Sequence, residues 1–237
     1  MSKMQLNTGN LHALWKVVGS AFNGYAQHGK IYQSCISGSE WPNRIWTTSG
    51  STEVIMKIKS QMVAEPALTF SRFTSVNDQG DEVQGFIYKS TQYGMSLDLR
   101  HPFKVSRGLT FRKVETTEDV LIWCNAFKQA FGYKIGADIL ELTKRQIPYF
   151  LVIDEEKLVG VVMLYITGSV AGIHSLGIIQ EMRKKGYATD IMHQMLNQAM
   201  VHKATTATLQ ASEMAKRMYQ GMGFSTDFLM HNYTIEP

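Results

Sequence analysis

Two cysteines in 237 residues, Cys35 and Cys124, are too few and too far apart for a disulfide framework or a zinc-ligand spacing. The seven histidines form no HExxH pattern and no CxxC accompanies them, so no metal site is expected and the imidazoles are left to structural or acid/base roles. Charge is scarce: 24 Lys plus Arg against 20 Asp plus Glu leave +4, and only Arg183-Lys184-Lys185 forms a tight cluster. That is too little for a nucleic-acid footprint. The first residues, Met1-Ser-Lys-Met-Gln-Leu-Asn7, lack the unbroken apolar run of a secretory signal, and the expected location is the cytoplasm. One stretch, Leu158 to Gln180, has no Asp, Glu, Lys or Arg and is long enough to cross a bilayer. Its middle, Thr167-Gly168-Ser169, is turn chemistry between Val/Ile-rich runs, which reads as two buried strands in a hairpin, and no membrane partner is expected.

What is present is globular. With 44% apolar and 11% aromatic residues, the chain is long enough for one large domain or two ordinary ones. Leu11, Leu14, Trp15, Val18 and Phe22 recur at three and four, which predicts a helix at about 10–23. Strands are expected at 31–37 and 44–48, then a helix capped by Thr52 that runs to about 63 and cannot pass Pro66. A strand at 67–73, a polar loop at 77–81 and a strand pair at 85–90 and 94–99 complete the first half. The stretch His101 to Gly108 has linker chemistry, so domains are expected at 1–104 and 109–237.

In the second half Thr116 and Asp119 form a capping-box pattern before a helix at 117–130, and a second helix at 137–146 stops before Pro148. Strands follow at 149–153, 158–166 and 172–179. A helix at 187–202 carries Ile191, Met192, Met195, Leu196 and Ala199 on one face, its methionines serving as core filler. A strand at 206–211, a helix at 213–222 and strands within 224–235 end the chain. This order gives a mixed α/β sheet. Gly85-Phe86 and Gly223-Phe224 stand 138 residues apart at matching places in the two halves, which suggests a duplicated domain.

The segment with readable chemistry is Ser175 to Thr189, where a buried strand passes through a short basic loop into the strongest helix. The first turn of a helix has unpaired N–H groups and partial positive charge, and so attracts phosphate. Gly186 and Ala188 keep side chains off the backbone, and Lys184 and Lys185 add full charges, so a diphosphate is a natural guest. A turn shaped by Gly186 with three solvated cations is the plainer alternative. Neither a Walker loop nor a dinucleotide fingerprint is present.

Arg183-Lys-Lys-Gly186-Tyr-Ala188 resembles the Gln/Arg-x-x-Gly-x-Gly/Ala motif of the GNAT superfamily of acyl-CoA-dependent N-acyltransferases. Ser212-Glu-Met-Ala215-Lys-Arg-Met218-Tyr219-Gln-Gly-Met-Gly223-Phe224 is similar to that family's second motif. The resemblance covers about 109–237; the first half shares only element order and the Gly-Phe ending, and looks like a degenerate copy that binds no acyl-CoA. It implies a tandem GNAT fold of two similar domains, with acetyl-CoA as co-substrate and acetyl transfer to a primary amine of a small molecule by direct attack through a tetrahedral intermediate. The other readings are a silent acyl-CoA-binding or sensing module and a protein-directed acetyltransferase.

The resemblance also implies roles. The strand backbone at Leu176, Gly177 and Ile178 would hold the pantetheine arm, with the Ile178 N–H as oxyanion donor. Arg183, Lys184, Lys185, Gly186, Tyr187, Ala188 and Thr189 would cradle the pyrophosphate. Ser212 stands where the family has Asn, and its hydroxyl can still donate. Tyr219 matches the family's proton donor, and a phenol with a reference pKa of about 10 stays protonated at neutral pH. Where many members have a carboxylate base this strand offers His174, with Asp138, Glu141 and Tyr165 as weaker candidates. The acceptor would meet Phe131 and Tyr133 between the first two helices of the domain, with Trp41-Pro-Asn-Arg44 as a lid or a plain domain contact. No heptad marks a dimer interface, though free sheet edges are compatible with a homodimer.

Overall fold

A computed structural model describes residues 1–78 and 83–235. Helix α1 covers Lys3–Ala21 and so starts earlier than its apolar stripe predicts, because Ser2 and Gln5 form a reciprocal capping box. A hairpin of β1 (Tyr25–His28) and β2 (Ile31–Ser34) follows; β1 is half exposed and carries no apolar alternation to predict it. β3 (Arg44–Thr47) leads to α2 (Thr52–Ala64), capped by Ser51 rather than Thr52. β4 (Thr69–Thr74) precedes a loop whose expected polar tip at 77–81 lies partly outside the described residues. The two strands expected at 85–90 and 94–99 are one continuous strand, β5 (Ile87–Asp98).

No regular element lies between β5 and β6 (Thr110–Lys113), a four-residue edge strand that sequence periodicity does not predict. The Thr116–Asp119 capping box forms as expected and opens α3 (Thr117–Phe131), which ends at Gly132 with φ +81°. α4 (Ala137–Thr143), β7 (Tyr149–Asp154), β8 (Lys157–Thr167) and β9 (Val170–Ile178) follow. The charge-free stretch is the β8–β9 hairpin, turning at Gly168 and Ser169. Among the described residues no helix is long and apolar enough to cross a membrane. After a 3-10 turn at Gln180–Met182 come α5 (Tyr187–Val201), β10 (Thr206–Ala211), α6 (Glu213–Gly221) and β11 (Ser225–Thr234), the last a single strand.

All strands among the described residues join one mixed sheet of eleven, in the order β1-β2-β3-β4-β11-β5-β10-β9-β8-β7-β6. The order repeats about its centre: β1 to β4 are followed by β11, and β7 to β10 by β5. Each half therefore lends its last strand to the other, and β5 and β11 pair antiparallel along most of their length. Both begin directly after Gly-Phe, with Gly85 and Gly223 at φ +81° and +95°. The segment expected as a linker lacks regular structure, yet the sheet runs across it. One core cluster joins Leu14, Trp15 and Trp46 of the first half to Trp123, Phe127 and Met163 of the second. A second cluster lies under α5 and α6, and a third under α2.

Candidate active site

β9 and β10 are parallel neighbours for only three residue pairs, Val170–Gly172 against Thr206–Thr208. Beyond them the strands part: β9 stays on β8 as far as Ile178, and β10 stays on β5 as far as Ala211. A β-bulge drives the separation. Ser175 has φ +51°, and the register to β8 slips between Gly177 and His174. Ile179 N–H donates to Val159 C=O, so ladder alternation turns the Ile178 N–H away from β8 and into the opening. By the same alternation the backbone groups of Gly177 belong to β8. Its contribution is a missing Cβ, which would collide with Ala130 and Phe131 at the end of α3.

The opening ends at the N-terminus of α5. Gly186 is the N-cap at φ +83°, supplies no side-chain cap, and an ideal Cβ built on it meets nothing within 4 Å. Lys184 also has positive φ, +61°. The N–H groups of Lys184, Lys185, Gly186, Tyr187 and Ala188 donate to no acceptor among the described residues, whereas Thr189 N–H returns to Gly186 C=O. Five free donors beside two exposed lysines form an anion nest at a helix N-terminus. The geometry fits a diphosphate: donors are unspent and the space a side chain would fill is open.

Other loop side chains hold the nest instead of facing it. Arg183 donates to Ala130 C=O at 2.8 Å and Ile178 C=O at 3.2 Å, tying the last turn of α3 to the end of β9. Tyr187 is buried and its hydroxyl donates to Asp154 at 2.7 Å. Arg107, from the segment between the halves, stacks on the Tyr187 ring at 4.2 Å, reaches Asp190 at 3.6 Å and donates to Lys185 C=O at 3.3 Å. Nothing in the sequence of that segment marks Arg107 for this position.

Across the opening, Ser212 caps α6 by accepting the Ala215 N–H, which leaves its own proton to give. Tyr219 is 7% exposed and packs edge-on to Phe224, and its hydroxyl has no hydrogen-bond partner among the described residues. Burial pushes its phenol up to about 12. His174 faces the opposite way. Asn10 Nδ2 donates to Tyr165 C=O and Thr167 Oγ1, so Asn10 Oδ1 accepts, and His174 Nε2 at 2.9 Å is the donor to it. Burial lowers this imidazole to about 4, with Gln210 opposing. Gln210 donates to Asn7, and Asn7 donates to Met95 and Leu209 carbonyls. Two asparagines of α1 thus plug the foot of the opening and enclose the histidine.

On the α3 side, the loop 35–43 docks on residues 132–136. Glu40 and Lys134 exchange backbone and side-chain hydrogen bonds, and Gly136 N–H donates to Ser39 Oγ. Trp41 is 8% exposed and sits in the shared core, so it is a wall and no lid. Tyr133 stacks edge-on to Phe127. Asp138 caps its own helix at the Ile139 N–H, and Glu141 pairs with Lys144. Among the described residues no His/Cys/Asp/Glu group is arranged for a metal.

The candidate site is thus a parallel strand pair that splays at a bulge above an uncapped helix N-terminus, with a phenol across the gap that has no hydrogen-bond partner among the described residues. Residues 115–224 match the model of the acetyltransferase (GNAT) family. No curated protein matches the sequence significantly. Among solved structures, a GCN5-related N-acetyltransferase from Kribbella flavida superposes with a TM-score of 0.64 at 14% identity, covering 94% of this chain and 95% of that one. One from Sphaerobacter thermophilus gives 0.62 at 16%, over 88% and 78%. A tandem GNAT protein from the clavulanic acid biosynthesis pathway gives 0.59 at 11%, over 87% and 78%. At these identities the likeness is one of fold.

Proposed function

We propose that this chain is a cytoplasmic N-acetyltransferase that moves acetyl from acetyl-CoA to a primary amine of a small molecule. Residues 109–237 form the catalytic unit, and residues 1–104 are a degenerate copy that holds no acyl-CoA. The observation that carries the reading is the splayed β9–β10 pair ending on the five free N–H groups of 184–188. The contrast between halves supports it: the N-terminus of α2 is closed by Ser51 and carries Glu53, which repels phosphate.

Bound acetyl-CoA supplies the thioester carbonyl that an amine attacks. The nest at 184–188 anchors the diphosphate, and the strand end at Leu176 and Ile178 orients the arm. Ile178 N–H, preorganised by the ladder, stabilises negative charge on the carbonyl oxygen. Tyr219 holds its proton at neutral pH and delivers it to the departing thiolate. With His174 enclosed, deprotonation of the amine falls to water or to bulk solvent. That same enclosure favours a second reading, a silent acyl-CoA-binding module. Calorimetric titration of acetyl-CoA with a thiol-release assay over a primary-amine panel separates them. Binding with thiol release supports the transferase, binding alone supports the silent module, and no heat refutes both.

A further inference from the structure

Arg44, the first residue of β3, has no counter-charge. Its Nε is enclosed without a hydrogen-bond partner, while the residue keeps partial exposure. Among the described residues no carboxylate lies within ion-pair distance of it. Glu40, on the adjoining loop, spends its carboxylate on the Lys134 N–H at 2.8 Å. Burial pulls the Arg44 guanidinium below the ordinary arginine value, with the neighbouring Tyr133 opposing. A desolvated, unpaired cation is a destabilising arrangement that folding alone does not favour.

Its position is informative. β9, β10 and β11 run one way and β5, β4 and β3 the other, so the last residues of β9 and the first of β3 share one end of the sheet. Arg44 is therefore at the Ile178 end. It also alternates with Ile45, which faces α2, and shares its face with Trp46, which packs in the core under α1, α3 and α4. That is the face on which α3 and Phe131 cover Gly177. Tyr133 lies beside it in the loop joining α3 to α4.

We propose that Arg44 anchors the acceptor subsite, and that the acceptor is an amine carrying a carboxylate. This rests on the acetyltransferase reading. The planar guanidinium fork matches a carboxylate with two parallel hydrogen bonds, and the Tyr133 hydroxyl is a further donor. One arginine neutralises one negative charge, so a phosphate dianion would leave excess charge beside the partly buried guanidinium. The degenerate first half thereby supplies substrate recognition to the second.

Product-like probes test this without turnover. N-acetylglycine, N-acetyl-β-alanine and N-acetyl-6-aminohexanoate are each titrated against their neutral amides and against inorganic phosphate, with and without CoA. The wild type is expected to prefer at least one carboxylate over its amide by tenfold or more, and Arg44→Gln to lose that preference while binding acetyl-CoA normally. Arg44→Met, which removes the unpaired cation, is expected to raise Tm by ~2–4 °C. No carboxylate preference in the wild type, a preference retained in Arg44→Gln, tighter binding of phosphate, or a lowered Tm in Arg44→Met each overturns the proposal. Absence of acetyl-CoA binding in the wild type would sink the transferase reading instead, and the CoA-free titrations would still decide the anion site.

Discussion

Gly186 offers a perturbation whose stability and binding effects come apart. Its φ of +83° costs a substituted alanine ~1–2 kcal/mol, and no steric term adds to it because the ideal Cβ meets nothing within 4 Å. Gly186→Ala is therefore expected to melt ~2–8 °C below the wild type. Gly186→Asn, a residue that tolerates left-handed backbone, should melt near it. Gly186→Glu bears the alanine strain but gains ~0.3–1 kcal/mol from a carboxylate at a helix N-terminus, so it melts no lower than the alanine variant. Its carboxylate enters the space where the diphosphate would sit. Like unit charges about 4 Å apart repel by ~1–4 kcal/mol for an effective dielectric between water and a protein surface. At 1.4 kcal/mol per decade, acetyl-CoA affinity falls by roughly fivefold to several hundredfold. Calorimetric titration of the three variants with thermal melts reads both effects. A folded Gly186→Glu that binds acetyl-CoA as the wild type does would refute the assignment of the loop.

Tyr219→Phe should lower kcat by ~10²–10⁴ with little change in acetyl-CoA affinity, and burial of the phenol to about 12 keeps the wild-type acid protonated through the alkaline range used in assays. An unchanged kcat would remove Tyr219 from the chemistry. Arg107→Ala should raise KM for acetyl-CoA about fivefold at constant kcat, the loss of one hydrogen bond to the nest being worth ~1 kcal/mol, with partial rescue by Arg107→Lys. A change in kcat alone would contradict a positioning role. His12 and His174 are both held near 4 by burial, below their unfolded value of 6.5. The unfolded chain then binds more protons between those values, so the stability they contribute is present above pH 6.5 and is lost as pH falls toward 4. His12→Phe, placed among Trp15, Trp46 and Phe73, should flatten part of that acid loss in urea titrations at pH 7 and 5. Parallel slopes for variant and wild type would count against it.

What the sequence reveals is what local chemistry decides. The Thr116–Asp119 box, the glycine before α5 and the bounds of β10 all follow from short-range rules, and the repeat is visible in two Gly-Phe pairs. What it hides is settled at long range. Thr91-Gln92-Tyr93 reads as a break between two strands, yet β5 continues through it because β10 and β11 flank it from the other half. Asn7 and Asn10 carry no signal in the sequence and are 0% and 1% exposed, their amides spent on strand carbonyls over 80 residues away. His174 could be chosen as a base only while those asparagines were unplaced. Arg107 sits in a stretch that composition assigns to a linker.

On the proposed reading, the exchange of last strands explains how a first half without a cofactor loop remains indispensable to the second. β5 lies between β10 and β11, so the first half supplies both the strand on which β10 depends once it has left β9 and the partner that holds β11. A splayed strand pair gives up hydrogen bonds on the cleft side, and β10 can do so because its other edge is fully paired with β5. The opening needs that outside support. On that reading the first half, its α2 capped by Ser51, braces the cleft through β5, Asn7 and Asn10, and walls its far side through the loop 35–43. If the second half binds the cofactor as proposed, residues of the first half that look vestigial beside it are the ones that shape the space in front of Ile178 and Tyr219.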